Sequence, residues 1–191
     1  MNLDVYVDGW VIEDGNYDHF RCAEHRRFAL EFYAPAPLDR IKRAQKRFVK
    51  EEDYKYRIVA QVVFSSRDIC VLDFGILAYS ESSLDLQAQY AVGEFVEGTV
   101  TLAVDPFSYF ERLAKLEGVP ALIYEWHIDS IEQETTPRIH SKVCGRDVYQ
   151  RDENRVEFRS VSGTDENIAA DTAPSYVLHC TTLDTEPSKS L

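Results

Sequence analysis

No segment of this chain is apolar for long enough to cross a bilayer as a helix, and the opening Met1-Asn2-Leu3-Asp4 lacks the basic start and apolar stretch of a secretory signal. The expectation is a cytoplasmic protein without membrane contact. Cysteine is scarce. Cys22, Cys70, Cys144 and Cys180 are far apart and form no CxxC pair, so a disulfide scaffold is disfavoured and the thiols are expected to be reduced, mostly packing residues. There is no GxSxG, Walker, GxGxxG or HExxH sequence, and no Ser or Cys stands in a context that announces a nucleophile. No cofactor is implied, and the expectation is a protein that is not an enzyme.

Basic residues are also in short supply, with 21 Lys and Arg against 33 Asp and Glu and a formal net charge of -12. Such a charge repels polyanions and anionic membranes and draws cations inward. A basic protein is the favoured partner and nucleic acid is disfavoured, although acidity also serves solubility alone.

What is present is core-forming material: 45% hydrophobic and 12% aromatic residues among 191, enough for one domain. Residues 1–183 are expected to form that domain, with 1–53 an N-terminal β-meander followed by a short basic helix, 54–183 a barrel, and 184–191 a mobile tail. The meander is read from strand-like alternation around Asp8-Gly9 and Asp14-Gly15-Asn16, with Phe28, Leu30 and Phe32 on one face of its third strand. The helix is read from LDRIKRAQKRFVKEED, where Leu38, Ile41, Ala44 and Phe48 approximate one face and Arg40, Lys42, Arg43, Lys46, Arg47 and Lys50 occupy much of the rest.

Period-two alternation strengthens from Tyr54. Tyr56, Ile58, Ala60, Val62 and Phe64 line one face of a long strand, Ser65-Ser66-Arg67-Asp68 turns the chain, and ICVLDFGILAYS returns with Gly75 as a bulge or sharp bend. A third strand buries Val96, Val100, Leu102 and Val104. Asp105 and Pro106 then start a helix with an apolar stripe at Phe107, Phe110, Leu113 and Ala114, and Gly118 ends it. The next strand turns Leu122, Tyr124, Trp126 and Ile128 inward and Glu125, His127 and Asp129 outward. Glu125 and His127 are neighbours on that face, but alternation on a wet strand explains them more simply than catalysis does. Val148 to Val161 reads as a hairpin turning at Asp152-Glu153-Asn154, and Tyr176 to Cys180 as a last strand.

Three strands, a helix and further strands follow the element order of an OB-fold, so the chain resembles that fold over about residues 54–160. The fold class is therefore mainly β: an OB-like antiparallel β-barrel with a helix between its third and fourth strands. Nucleic-acid binders of that fold need a basic groove with stacking aromatics. Here the strands carry Asp73, Glu94, Glu97, Glu125 and Asp129, and between Glu81 and Glu134 the bases are Arg112 and Lys115 alone. Those five acids are the candidate partner-binding residues.

Small acidic chains without catalytic motifs look like the immunity proteins that neutralise basic, nuclease-type bacterial toxins, and that is the leading functional expectation. The alternative is single-stranded nucleic-acid binding through the basic segment from Arg40 to Arg57, which carries Phe48, Tyr54 and Tyr56; its plainer reading is a solvated face that balances the protein's own acids. A zinc site from His19, Cys22, His25, His179 and Cys180 would require the first and last strands to be neighbours.

Overall fold

The computed structural model of the chain describes residues 1–81, 90–143, 146–152, 154–166, 174–183 and 186–190. Its elements are β1 (Asn2–Asp8), α1 (Gly9–Glu13), β2 (His25–Phe28), β3 (Leu30–Tyr33), β4 (Asp39–Ile41), β5 (Arg47–Glu52), β6 (Lys55–Ser65), β7 (Ile69–Asp73) and β8 (Leu77–Glu81). There follow β9 (Phe95–Val104), α2 (Ser108–Glu111), a 3-10 turn (Leu113–Lys115), β10 (Tyr124–Glu134), β11 (Arg138–Val143), β12 (Arg146–Arg151), β13 (Phe158–Val161) and β14 (Ser175–Thr182).

The protein is mainly β and contains a closed five-strand barrel. Its ring runs β6, β7, β8, β3, β9 and back to β6; every pairing is antiparallel except β3 with β8, whose register pair is Glu31 with Tyr79. Leu30, Phe32, Ile58, Ala60, Val62, Leu72, Val96, Val100 and Leu102 belong to the main core. A second core, of residues that include Ile69, Val71, Tyr79, Tyr109, Leu113 and Leu122, gathers around α2 and the 3-10 turn. Beside the ring, β1 joins β9 by the single parallel pair Tyr6 with Ala103, β14 runs antiparallel to β1 over the length of β1, and β10 pairs with β14. The other side of β10 receives β2 along Tyr124–His127 and β13 along Ile131–Glu134. The ribbon β11–β12 forms its own two-stranded sheet.

Several expectations need correction. Residues 38–53 are not a helix: β4 lies on β9, and β5 forms a hairpin with β6 in which Phe48 faces Ile58. Phe48 packs on Tyr56 and Phe74, with ring centroids 5.9 and 6.0 Å away, and that contact outweighs the local helix spacing. Residues 1–33 are not a meander. β1, β2 and β3 each pair with strands from far along the chain, and α1 fills the first expected turn.

Gly75, at φ +111, is not a bulge in one strand but part of the reversal between β7 and β8, where its N–H donates to Asp73 Oδ1 at 3.0 Å. The helix after β9 is short. It lies where expected in the chain, but β10 stands outside the five-strand ring and β3 supplies the strand that closes it. β12 and β13 do not form a hairpin with each other, since β12 pairs with β11 and β13 with β10; Glu153 of the expected turn lies outside the described residues. Ser188, in the expected tail, is tied back by two backbone hydrogen bonds with Ile123 at 2.7 and 2.9 Å.

The long alternating strands behave as their pattern requires. Trp126 and Ile128 are fully buried, with Trp126 Nε1 donating to the Phe28 carbonyl at 3.1 Å, and Val96, Val100 and Leu102 are buried in β9. Among the described residues, no helix is long and apolar enough to cross a membrane.

Candidate functional site

Three of the five candidate acids lie on the barrel, where the basic segment meets them. Lys46 Nζ is 2.5 Å from Asp73, and Arg40 Nε is 3.3 Å from Glu94. Arg57 places Nε and Nη2 at 3.1 and 3.0 Å from one oxygen of Glu97. Glu94 also accepts the Ala91 N–H at 2.8 Å; that bond and Arg40 hold its carboxyl below the ordinary range. Pairing extends further, with Lys50 on Asp4 and Lys55 on Glu52. The balance of the protein's own acids therefore accounts for much of the basic segment, while Lys42, Arg43 and Arg47 have no ion pair among the described residues.

Glu125 and Asp129 lie elsewhere, on the outer face of β10. Alternation turns Trp126 and Ile128 inward and Glu125, His127 and Asp129 outward, and the register irregularity between Ile128 and Ser130 adds Ser130 as a second exposed residue before Ile131 resumes the buried phase. His25 on β2 stands opposite His127, their rings edge to face at 5.2 Å. His25 Nδ1 is 3.4 Å from Glu125, and His127 Nε2 is 3.7 Å from Asp129, which also accepts the Thr181 hydroxyl at 2.7 Å. His127 Nδ1 is buried with no hydrogen-bond partner.

Farther along the same face, His179 on β14 bridges two strands, with Nδ1 2.8 Å from Asp4 Oδ1 on β1 and Nε2 3.2 Å from Glu132 on β10. The Asp4 hydrogen bond raises the His179 pKa, against the opposing effect of burial. Burial pushes Asp4 upward, but hydrogen bonds from His179 and Lys50 more than offset it and hold Asp4 below its ordinary value. The face thus presents Glu125, Asp129 and Glu132 to imidazoles, which compensate a carboxylate less completely than lysine or arginine does.

Asp73, Glu94 and Glu97 do not share a surface strand pair with Glu125 and Asp129, because β1 and β14 lie between β9 and β10 along the sheet. Sequence reasoning missed the His179 bridge and also two buried acids. Glu31 is 5% exposed and Asp105 1%. Tyr33 donates its hydroxyl to Glu31 at 2.5 Å, and Tyr79 donates to Asp105. Asp105 was expected to cap the helix, but the N-cap position is Phe107 and α2 starts at Ser108; Asp105, two residues before the cap, accepts the Tyr109 N–H at 3.1 Å. Nothing in the alternation marked Glu31 as buried.

The first and last strands are neighbours, as a zinc site required, yet the proposed ligands point apart. His19 lies 3.3 Å from the Thr164 hydroxyl, Cys22 donates to the Val161 carbonyl, and His179 and Cys180 occupy opposite faces of β14. Burial pushes the Cys180 thiol far up. Among the described residues no three His, Cys, Asp or Glu side chains are grouped to hold a metal, and Cys22, Cys70 and Cys180 are free thiols; Cys144 lies outside the described residues. In comparisons with known proteins, the chain matches no family model, no curated protein and no solved structure.

Proposed function

We propose that this chain is a non-enzymatic binding protein of the cytoplasm that holds a basic protein partner against the outer face of β10 and β14. In its most specific form the proposal is an immunity protein that neutralises a basic, nuclease-type bacterial toxin. An OB-like reading of the barrel belongs to the same proposal, supported by the antiparallel run β6, β7, β8 and the closure of the ring through β9.

The observation that carries the proposal is the contrast between the two acidic surfaces. Asp73, Glu94 and Glu97 meet lysine or arginine within the chain, whereas among the described residues the ion-pair partners of Glu125 and Asp129 are histidines, and Arg27, opposite Glu125 on β2, donates to the Ser188 hydroxyl instead. Against a net charge of -12, carboxylates left in that state attract the lysines and arginines with which a nuclease grips phosphate.

The test begins with affinity capture to identify the partner, followed by association kinetics with purified components. Reversing Glu125 and Asp129 together to lysine is expected to slow association by roughly tenfold or more at low ionic strength while the melt is preserved, with salt weakening the effect. Reversing Glu97, already engaged by Arg57, is expected to matter much less. Unchanged association in the double variant, or capture of acidic partners only, overturns the proposal.

A further inference from the structure

Glu31 and Asp105 are the buried carboxyls among the described residues, and Tyr79, at the joint that closes the barrel, is the register partner of one and the hydrogen-bond donor to the other. The ring closes by the parallel pairing of β3 with β8, whose register pair is Glu31 with Tyr79. The Tyr79 hydroxyl reaches from that seam to Asp105, whose Oδ1 also holds the Tyr109 N–H at the start of α2. Glu31 accepts a hydrogen bond from the Tyr33 hydroxyl at 2.5 Å. Two hydrogen-bonded groups, one on Glu31 and one on Asp105, therefore flank the seam, linked through the register pair of Glu31 with Tyr79.

The charges facing these groups are predominantly negative. Glu81 on β8 and Asp105 both repel a charge on Glu31, and Tyr17 and Tyr109 add neutral aromatic walls near Asp105. Arg112 Nη2 pairs with Glu81 at 2.7 Å in a half-exposed pair. Among the described residues, no group of acids here is arranged to hold a metal. Two ionised carboxyls in so dry a site would be costly, since burial opposes each charge and each opposes the other.

We infer that the β3–β8 seam is a proton-operated latch, closed while the Glu31–Asp105 pair retains a proton and loosened once both carboxyls are ionised. Burial pushes Glu31 up to about 7 and Asp105 up to about 6, which puts the transition near neutrality. Because these values are raised above those of the unfolded chain, the stabilisation is full at acid pH, below the ordinary carboxylate range. It is lost as pH rises through the folded-state values. This device is independent of the partner proposed above and acts on the barrel itself.

The experiment compares wild type with Glu31→Gln, which keeps an acceptor for Tyr33 but cannot ionise. Between pH 6 and pH 8 the folded-to-unfolded ratio of wild type is expected to fall about tenfold more than that of the variant, seen as a melting-temperature gap changing by roughly 3 to 5 °C. Amide exchange, corrected for intrinsic pH dependence, is expected to rise in β3 and β8 and not in the β1–β14 pair. Parallel melting curves for the two proteins, or uniform loosening of both regions, overturns the inference. If Glu31→Gln fails to fold, carboxyl-carbon NMR on the wild-type protein decides: a Glu31 midpoint near neutrality supports the latch, and one in the ordinary carboxylate range refutes it. Asp105→Asn is expected to move that midpoint down, because it removes the like charge.

Discussion

Arg57 and Glu97 meet diagonally across β6 and β9, two guanidinium nitrogens converging on one carboxylate oxygen at 3.0 and 3.1 Å. An acid that alternation turns outward is thereby engaged by the protein's own base. Because Arg57 is largely exposed, the pair is of modest value: Glu97→Lys is expected to cost about 1 kcal/mol or less, and adding Arg57→Glu should recover part of it. Denaturant melts of the single and double variants check this by a thermodynamic cycle.

Trp126 is fully buried, stacks on Phe28 with ring centroids 5.3 Å apart, and donates its indole N–H to the Phe28 carbonyl. Trp126→Ala leaves a large cavity beside an unpaired carbonyl, and a loss of roughly 3 to 5 kcal/mol is expected in equilibrium unfolding. A melt equal to wild type would mean that the outward and inward faces of β10 have been exchanged.

Gly9 begins α1 where β1 ends, and a Cβ at this position would stand 2.2 Å from the Pro174 carbonyl oxygen. That atom is backbone and cannot rotate away. Gly9→Ala is expected to destabilise by about 1 to 3 kcal/mol through overpacking, measured by thermal unfolding, with Gly15→Ala as a comparison at an open position whose penalty comes from its φ of +75 alone.

His179 between Asp4 and Glu132 titrates above its ordinary value. A raised histidine pKa means that its contribution is full below the unfolded value near 6.5 and disappears as pH rises through the folded value. His179→Gln is therefore expected to melt below wild type at mildly acid pH, with the gap closing as the solution becomes basic. A gap independent of pH would assign His179 a packing role only. Glu31 and His179 both lose stabilisation with rising pH, so the two variants must be measured separately and together.

Much of the β architecture was legible because alternation is local. Residues two apart share a face, so Val96, Val100 and Leu102, and likewise Trp126 and Ile128, could be placed in the core from their own spacing. The basic segment was misread for the same reason. Leu38, Ile41, Ala44 and Phe48 satisfy a helical spacing locally, and only the aromatic surface of Tyr56 and Phe74 selects the strand.

By itself the sequence determined the mainly β character, the acidic balance, the absence of familiar catalytic motifs and the buried faces of β9 and β10. The tertiary structure decided which strands are neighbours, and with them which charges are compensated. It pairs Asp4 with His179 across 175 residues, places Arg57 on Glu97, and closes the barrel with a strand that carries the buried acid Glu31. Alternation assigns a side chain to a face without naming what lies across it; that neighbour is chosen by long-range closure of the sheet, in which burial and compensation of charge are settled together.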